Sequence, residues 1–280
     1  MAASYKTEGV AFITGAGSGV GRATGFTFAA SGARAVIFAD IDEDSAVAAA
    51  AKSKEYATNP DYQARGYKLD VRDEAAVTTL LQKVAEDFER LDYLVNSAGV
   101  GGLGDPKVPD NDMAIFDETW NVNTRGLLVV TRAAVKIMEK QERTRYKTVL
   151  GAERELSRGS IVNVLSALAY GSVQHKVAYS ASKHASLGIT RATAKDVREK
   201  HIRVNAVAPG WVNTAMYEDE TSRAPGMREF VQAVSPEGRP AEADEVGDVV
   251  VFLCSPASNY VNGTGILIDA GITLAVLKGL

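Results

Sequence analysis

The sequence predicts a single α/β domain in which helices cover both faces of a doubly wound, seven-stranded parallel sheet. Short runs of strand length alternate along the chain with longer segments of helical periodicity. The strand-like runs are apolar at nearly every position, which is typical of parallel strands buried on both faces. No internal repeat or linker divides the 280 residues, so residues 1–280 are predicted to form one domain.

The first half of the chain supplies four strands and the helices that connect them. Strands are predicted at residues 9–14, 35–39, 66–70 and 91–95, and helices at 22–32, 45–57 and 74–90. Asn59 and Pro60 end the second helix, and Asp73 is the expected N-cap of the third.

The second half supplies three more strands. They are predicted at residues 160–165, 201–207 and 265–269, with helices at 113–143, 178–200 and 241–254. Residues 144–158 are polar and basic and are predicted to form a surface insertion. Residues 214–239 show scattered charge and little periodicity, which predicts a lid beside a ligand site.

Composition excludes several classes of function. The net charge of −4 and the pI near 5.6 show no basic excess, so neither nucleic acid nor a membrane surface is expected as a partner. No signal peptide or run of about 18 apolar residues is present, which predicts a cytoplasmic protein. Cys254 lies in an apolar run and is expected to be a buried thiol, and the three scattered histidines predict no metal site.

A glycine-rich turn follows the first strand at residues 14–21. Its glycines fall at Gly15, Gly19 and Gly21, before a helix-like segment. Glycines let backbone N–H groups approach an anion, and the helix N-terminus adds a favourable dipole. We therefore interpret the turn as a phosphate cradle of a nucleotide site, the alternative being a flexible turn.

A carboxylate follows the second strand at the spacing expected for a ribose contact. Asp40 lies 19 positions after Gly21, and Ile41 rather than a basic residue follows it. A carboxylate there accepts hydrogen bonds from a free 2′-OH and repels a 2′-phosphate, which favours NAD over NADP. The alternative is an N-cap or turn aspartate. Asp70 and Val71, at the end of the third strand, are expected near the adenine.

An acid–base pair is predicted near the start of the helix at 178–200. Tyr179 and Lys183 are four residues apart and share a helix face. An ammonium beside a phenol favours phenolate, so we expect a lowered pKa for Tyr179. Ser166, at the end of the fifth strand, would supply a hydroxyl to a substrate oxygen. Taken alone, the tyrosine–lysine spacing also fits an ordinary amphipathic contact.

In order and spacing these motifs resemble the short-chain dehydrogenases/reductases, a family with a Rossmann-like fold. The resemblance covers about residues 9–271. It rests on the glycine turn at 14–21, Asp70, the Asn-Ser-Ala-Gly run at 96–99, Asn123, Ser166, Tyr179, Lys183 and the Pro-Gly pair at 209–210.

The resemblance implies a role for each catalytic candidate. Tyr179 would be the general acid/base, Lys183 would lower its pKa and bind the nicotinamide ribose, and Ser166 would orient the substrate oxygen. Asn123 would hold a water that links Lys183 to solvent, although a structural hydrogen bond to a neighbouring backbone group is the alternative. The dinucleotide would contact Gly15, Ser18, Gly19, Val20, Gly21, Asp40, Ile41, Asp70, Val71, Asn96, Ala98, Gly99, Tyr179, Lys183, Pro209, Gly210, Val212 and Thr214.

The favoured function is an NAD(H)-dependent oxidoreductase that interconverts a secondary alcohol and a ketone. Apolar side chains at Leu168, Tyr170, Val173, Trp211, Met216 and Tyr217 indicate a fairly hydrophobic small-molecule substrate, unless they belong to the core. One alternative is an NADPH-dependent ketoreductase of secondary metabolism, for which only Arg22 or Arg34 is near in sequence. Another is a dinucleotide-binding scaffold or sensor without turnover.

The family resemblance also bears on assembly and on the insertion. It implies a homotetramer or homodimer built from the long helices that contain Asn123 and Tyr179 and from the C-terminal helix–strand unit. The segment at 144–158 resembles insertions in some fungal members that act on small secondary metabolites.

Overall fold

The strands of the computed structural model, which describes residues 5–102 and 106–277, form two sheets. They are β1 (Val10–Thr14), β2 (Ala35–Asp40), β3 (Gln63–Lys68), β4 (Tyr93–Asn96), β5 (Arg145–Lys147), β6 (Glu153–Glu155), β7 (Gly159–Val164), β8 (Ile202–Pro209) and β9 (Gly265–Ile268). The main sheet has seven parallel strands in the order β3-β2-β1-β4-β7-β8-β9, and β5 pairs with β6 as an antiparallel hairpin. The predicted doubly wound parallel sheet is confirmed.

Helices cover both faces of this sheet. They are α1 (Gly19–Ala30), α2 (Glu43–Ser53), α3 (Glu74–Phe88), α4 (Met113–Trp120), α5 (Leu127–Met138), α6 (Val177–Asp196), α7 (Ala215–Arg223), α8 (Met227–Val234) and α9 (Ala243–Cys254). Helices α1, α2 and α9 share one apolar cluster with the sheet, and α3, α5 and α6 share the other. Of the helices in the described ranges, none is long and apolar enough to cross a membrane.

Strand β1 shows why the strands are apolar throughout. All five of its residues are buried. Val10 and Phe12 belong to one apolar cluster, and Ala11 and Ile13 belong to the other. Because successive side chains point to opposite faces, a strand between two helical layers needs apolar residues at every position. The order of the strands reverses around β1, so the loops after β1 and β4 diverge and leave a crevice at their carboxyl ends.

The helix predicted at residues 113–143 is divided in the structure. A turn of π-helix (Asn121–Gly126) separates α4 from α5, and α5 ends at Met138. At Gly126 the backbone approaches Val71 so closely that an added Cβ would lie 2.6 Å from a Val71 methyl group. The wider π turn places Asn123 against the loop that follows β4. Helical periodicity in the sequence does not reveal such a local change of winding.

Two further segments differ from their predictions. Strand β3 begins at Gln63, three residues before the predicted start, because it is an edge strand that tolerates polar side chains. The segment predicted as an irregular lid contains α7 and α8, and the side chain of Thr214 caps α7 by accepting from the Tyr217 N–H. The polar segment at 144–158 folds into the exposed β5–β6 hairpin. Cys254 is buried, as expected, and burial raises the pKa of its thiol to about 12.

Candidate active site

A cavity of about 930 Å³ opens at the carboxyl ends of the parallel strands. Its wall is formed by the segments that follow β1, β2, β3, β4, β7 and β8, by the first two turns of α6 and by α7. The predicted site residues that line it are Gly15, Ser18, Gly19, Val20, Gly21, Asp40, Ile41, Asp70, Val71, Ala98, Gly99, Ser166, Tyr179, Lys183, Pro209, Gly210, Val212 and Thr214. Within the described ranges, Asn96 and Asn123 are the predicted site residues that do not line it.

The turn between β1 and α1 has space for backbone only. Gly15 has a φ of +63° and Gly19 a φ of +49°, values that favour glycine. A Cβ on Gly15 would lie 2.7 Å from the Ala98 backbone, and one on Gly21 would lie 2.2 Å from the Gly15 carbonyl oxygen. Ser18, the N-cap of α1, makes no side-chain capping bond. The turn therefore presents main-chain N–H groups and a helix N-terminus to the cavity, which fits a dinucleotide pyrophosphate.

Asp40 lies beside this turn and is held by two backbone donors. Its Oδ2 accepts from the Gly17 N–H at 2.9 Å, and its Oδ1 accepts from the Asp42 N–H at 3.1 Å. Each carboxylate oxygen keeps a further lone pair for a ligand hydroxyl. Neither Arg22 nor Arg34 is among the described lining residues, and Arg34 donates instead to the Phe88 carbonyl. The charge nearest the predicted ribose position is thus negative.

Asp70 has a partner that the sequence did not indicate. Arg72 donates to Asp70 Oδ2 from Nη2 at 2.7 Å and to Oδ1 from Nε and from the backbone N–H, both at 2.9 Å. These hydrogen bonds hold the pKa of Asp70 below its usual value. Arg72 also lines the cavity and contacts Glu118 of α4 at 2.9 Å. Arg72 thus links Asp70, which follows β3, to Glu118 of α4, the helix that precedes the π turn.

The side chain of Asn96 faces the interior of the fold. Its Nδ2 donates to Asn163 Oδ1 of β7 at 2.8 Å and to Thr131 Oγ1 of α5 at 3.0 Å. A contact between Asn96 and a bound cofactor would therefore be made by its main chain. Thr14, which sequence analysis missed, holds the next residues in place, since its Oγ1 accepts from the Ser97 and Ala98 N–H groups at 3.2 Å.

Tyr179 and Lys183 lie one turn apart on α6, as the sequence predicted. Lys183 Nζ lies 5.4 Å from the centre of the Tyr179 ring and donates to the Val164 carbonyl at 3.1 Å. Burial lowers the pKa of Lys183 to about 8. Burial raises the pKa of Tyr179 to about 12, although a hydrogen bond with Ser166 opposes the rise.

The lowered pKa expected for Tyr179 is therefore wrong for this structure. The loss of hydration at the phenol raises its pKa more than the hydrogen bond with Ser166 lowers it, and the negative charge of Glu220 adds to the rise. The ammonium of Lys183 is directed at the Val164 carbonyl. Ser166 follows β7 and is the N-cap of a short 3₁₀ turn, where its Oγ accepts from the Leu168 N–H at 3.1 Å. The phenol and the serine hydroxyl thus point into the same part of the cavity.

Asn123 clamps the loop after β4. Its Oδ1 accepts from the Val100 N–H at 2.8 Å, and its Nδ2 donates to the Val100 carbonyl at 3.0 Å and to Ser182 Oγ at 3.1 Å. These are the structural backbone bonds that the sequence left open as an alternative. Asn123 nevertheless lies near Lys183, because a Cβ added to Gly99 would be 3.2 Å from Asn123 Oδ1 and 3.7 Å from Lys183 Nζ.

An ion pair at the cavity wall was missed by the sequence analysis. Lys176 Nζ lies 3.1 Å from Glu220 Oε1 of α7, donates to the Gly101 carbonyl at 3.2 Å and lies 5.7 Å from the centre of the Tyr179 ring. Lys176 is the N-cap of α6 and precedes Tyr179 by three residues, so the two residues are close in sequence. Glu220 gives no such local signal, because it lies 41 positions beyond Tyr179.

The rest of the cavity wall is largely apolar. All six side chains predicted to indicate a hydrophobic substrate, at positions 168, 170, 173, 211, 216 and 217, line it, and Met227 of α8 joins them. Trp211 packs edge-on against Phe230 of α8, with ring centres 6.0 Å apart. Thr214 lies opposite the glycine turn, since a Cβ on Gly19 would be 3.2 Å from its methyl group. Thr214, the N-cap of α7, therefore contacts the glycine turn at the edge of the cavity.

Comparisons with known proteins agree with this geometry. The family described as Enoyl-(Acyl carrier protein) reductase matches residues 15–273. Short-chain dehydrogenase anuF of Penicillium roqueforti is 39% identical over 273 residues, 98% of this chain and 99% of that protein. Levodione reductase of Leifsonia aquatica is 34% identical over 275 residues, 96% of each chain. A crystal structure of levodione reductase has a TM-score of 0.83 and 33% identity and covers 96% of this chain and 99% of that one. The chain therefore belongs to the short-chain dehydrogenase/reductase family and is an oxidoreductase that acts on CH–OH groups with a nicotinamide dinucleotide.

Proposed function

We propose that the protein is an NAD(H)-dependent dehydrogenase that interconverts a secondary alcohol and a ketone on a fairly hydrophobic small molecule. One observation carries the proposal: Tyr179, Ser166 and Lys183 share a single cavity with the glycine turn and with the apolar lid residues. The nicotinamide, when bound, supplies hydride exchange, and the chain supplies orientation and proton transfer.

The proton is handled by Tyr179. Burial raises the pKa of Tyr179 to about 12, so the phenol is protonated at neutral pH and holds the proton that a carbonyl oxygen takes up during ketone reduction. In the oxidative direction the same oxygen takes the proton back from the alcohol. Ser166 would hydrogen-bond the substrate oxygen, and the ammonium of Lys183, 5.4 Å from the centre of the Tyr179 ring, would stabilise negative charge that develops on the phenol oxygen.

The preference for NAD rests on the charges beside the glycine turn. Asp40 lies on the cavity wall with lone pairs free for two ribose hydroxyls, and it would repel a 2′-phosphate. Neither Arg22 nor Arg34 lines the described part of the cavity, where a cation would be needed to hold that phosphate. The hydrophobic character of the substrate is supported by the apolar side chains of the lid and of the segment after β7.

The test is a titration of the purified protein with NADH and with NADPH, followed by nicotinamide fluorescence. We expect NADH to bind at least about tenfold more tightly, since one buried like-charge contact costs of the order of 1 kcal/mol or more. Oxidation of hydrophobic secondary alcohols with NAD⁺ should then be measurable. A preference for NADPH would replace the proposal by a ketoreductase, and binding without any turnover would favour the non-catalytic reading.

We also propose a homodimer or homotetramer that uses the helices containing Asn123 and Tyr179. The proposal is supported by apolar side chains that face solvent around the π turn, namely Met113, Trp120 and Leu128, which are 59%, 38% and 38% exposed. Light scattering after size-exclusion chromatography tests it. A monomeric mass at micromolar concentration would contradict it.

A further inference from the structure

A half-buried ion pair lies within an otherwise apolar cavity wall. The side chains of Lys176 and Glu220 are 13% and 24% exposed, and both line the cavity. Replacing a buried ion pair by apolar residues of similar volume is often neutral or stabilising. A contribution to the stability of the fold therefore does not explain why two charged side chains lie in this wall. Their position next to Tyr179 points instead to the substrate, so the inference rests on the proposed function.

Among the described residues, the ammonium of Lys176 has partners for two of its donors. A lysine ammonium carries three N–H donors. One reaches Glu220 Oε1 at 3.1 Å and one reaches the Gly101 carbonyl at 3.2 Å. No residue in the described ranges accepts from the third, and the side chain borders the cavity. The two partners come from different segments, α7 and the loop after β4, so the ammonium is held in place before a ligand arrives.

The position of this donor selects which part of the substrate it meets. Lys176 Nζ lies 5.7 Å from the centre of the Tyr179 ring, and both side chains line the same cavity. A substrate whose reacting oxygen contacts the Tyr179 hydroxyl therefore brings its neighbouring atoms, rather than its far end, towards Lys176.

The neutral overall charge of the Lys176–Glu220 pair indicates which kind of substrate group it would bind. Glu220 already neutralises Lys176, so an anionic substituent would approach a carboxylate as well as an ammonium. A neutral oxygen satisfies the remaining N–H without that repulsion. We propose that Lys176, positioned by Glu220 and Gly101, is a specificity-determining residue that donates a hydrogen bond to a second, neutral oxygen of an otherwise apolar substrate ketone or alcohol.

The test compares ligands that share one skeleton. We would measure dissociation constants of α-tetralone, of its monohydroxylated isomers and of an α-tetralone carboxylate for the NAD⁺ complex, in which ketone reduction does not proceed. At least one hydroxylated isomer should bind about tenfold to a hundredfold more tightly than the parent, and the carboxylate should bind more weakly than that isomer. Turnover of the same ketones with NADH is a separate readout that tests the proposed function.

Variants then assign the discrimination to Lys176. Lys176→Met should reduce the ratio between hydroxylated and parent ligand to about one, and Lys176→Arg should restore part of it. Lys195→Met, an exposed lysine on the same helix, is the matched control and should keep the full ratio. Because Lys176→Met leaves Glu220 without its partner, the double variant with Glu220→Gln checks that a misfolded lid is not the cause.

Three results would overturn the inference. They are equal binding of all the neutral ligands to the wild type, a preference for the carboxylate, and a preference for the hydroxylated ligand that persists in Lys176→Met. Failure of the wild type to turn over any ketone, while the binding ratio and its loss are observed, would instead reject the proposed function and leave Lys176 as a hydrogen-bond donor to a bound ligand.

Discussion

The two ends of the cavity are built from different parts of the chain. The cofactor end is made largely of main chain from the turns after β1, β2 and β4, in which Gly15 lies against Ala98 and the Asp40 carboxylate accepts from the Gly17 N–H. The substrate end is made of side chains that converge from α6, α7 and α8. The shape of the cofactor end therefore depends on glycines at positions where a Cβ would clash with the backbone. The shape of the substrate end depends on contacts between side chains from separate segments.

This difference decides how each end responds to substitution. A glycine that admits no Cβ leaves little room for compensation, because the contacting atoms are backbone. The segment at 214–239, in contrast, carries exposed side chains whose replacement should change few contacts. Substitutions ordered by the size of their expected effect test this comparison.

Removal of the Tyr179 hydroxyl should have the largest effect. Tyr179→Phe deletes the proton donor while keeping the ring, so we expect kcat to fall by about 10²- to 10⁴-fold. NADH affinity should change by less than about threefold, because the phenol belongs to the chemical step. Steady-state kinetics and NADH titration measure the two quantities. Tyr260→Phe, at an exposed tyrosine, is the control, and activity of Tyr179→Phe near the wild-type level would reject the acid–base assignment.

A methyl group on Gly21 should have the next largest effect, at the cofactor end. Its Cβ would lie 2.2 Å from the Gly15 carbonyl oxygen. The turn must move, and we expect the free energy of unfolding to fall by about 1–3 kcal/mol and NADH affinity to fall by about tenfold or more.

Gly188→Ala on α6 is the matched control for Gly21→Ala. Nothing lies within 4 Å of a Cβ at that position, and alanine favours the helix by about 1 kcal/mol. Opposite signs of the two changes, measured by chemical unfolding, are therefore expected. A Gly21→Ala protein with normal NADH affinity would show that the turn is not a close-fitting cradle.

The sheet and the cofactor end were predictable because both depend on local patterns. Apolar runs such as residues 10–14 must be buried on both faces, and glycines such as Gly15 must stand where the backbone turns with a positive φ. Each of these features depends on only a few adjacent residues. The parallel sheet and a site at the carboxyl ends of its strands then follow from the alternation of strands and helices.

The substrate end was only partly predictable, for a physical reason. Glu220 meets Lys176 because α7 brings it to the N-terminal end of α6, and nothing in the sequence around Glu220 indicates that contact. The pKa of Tyr179 was also mispredicted, because the spacing of Lys183 reveals proximity but not the degree of burial. The π turn at Asn123 was not predicted for a similar reason, because it accompanies a tertiary contact, the close approach of Gly126 to Val71.

Neutralisation of Asp40 sharpens the comparison at the cofactor end. Asp40→Asn keeps an oxygen that can accept from the Gly17 N–H but removes the negative charge. We expect the ratio of NADPH to NADH affinity to rise by about tenfold, because the repulsion of a 2′-phosphate is lost. Fluorescence titration with both cofactors measures the ratio, and Asp44→Asn on the exposed first turn of α2 is the control. An unchanged ratio would remove Asp40 from the ribose site.

The burial of Lys183 predicts a pH dependence of stability. Its folded-state pKa of about 8 lies below the value of about 10.4 in an unfolded chain. Between these two values the unfolded chain binds the proton that the folded chain has lost, so the contribution of Lys183 makes stability rise with pH by up to about 1 kcal/mol per unit.

The slope is isolated by comparing the wild type with Lys183→Met between pH ~8 and ~9. Cys254, whose pKa is raised to about 12, makes stability fall with pH in the same window, but it contributes equally to both proteins. The free energy of unfolding should therefore rise more steeply with pH in the wild type than in the variant. Equal slopes would contradict the burial of the ammonium.

The smallest effect is expected on the outer side of the lid. Glu218 and Glu220 both lie on α7 and both pair with a cation, but Glu218 and its partner Arg228 are about half exposed, at 51% and 48%. An exposed ion pair contributes about 0–1 kcal/mol, so Glu218→Gln should change both the free energy of unfolding and the binding of a hydroxylated α-tetralone only slightly. Glu220 lies two residues further along α7 and lines the cavity. Glu220→Gln should therefore weaken that binding, because the ammonium of Lys176 loses the charge that positions it. Calorimetric titration of the two variants with the same ligand distinguishes two explanations. Equal losses of affinity would indicate that the segment at 214–239 needs both ion pairs to fold. A loss of affinity confined to Glu220→Gln would indicate that the pair of Lys176 and Glu220 acts on the bound ligand.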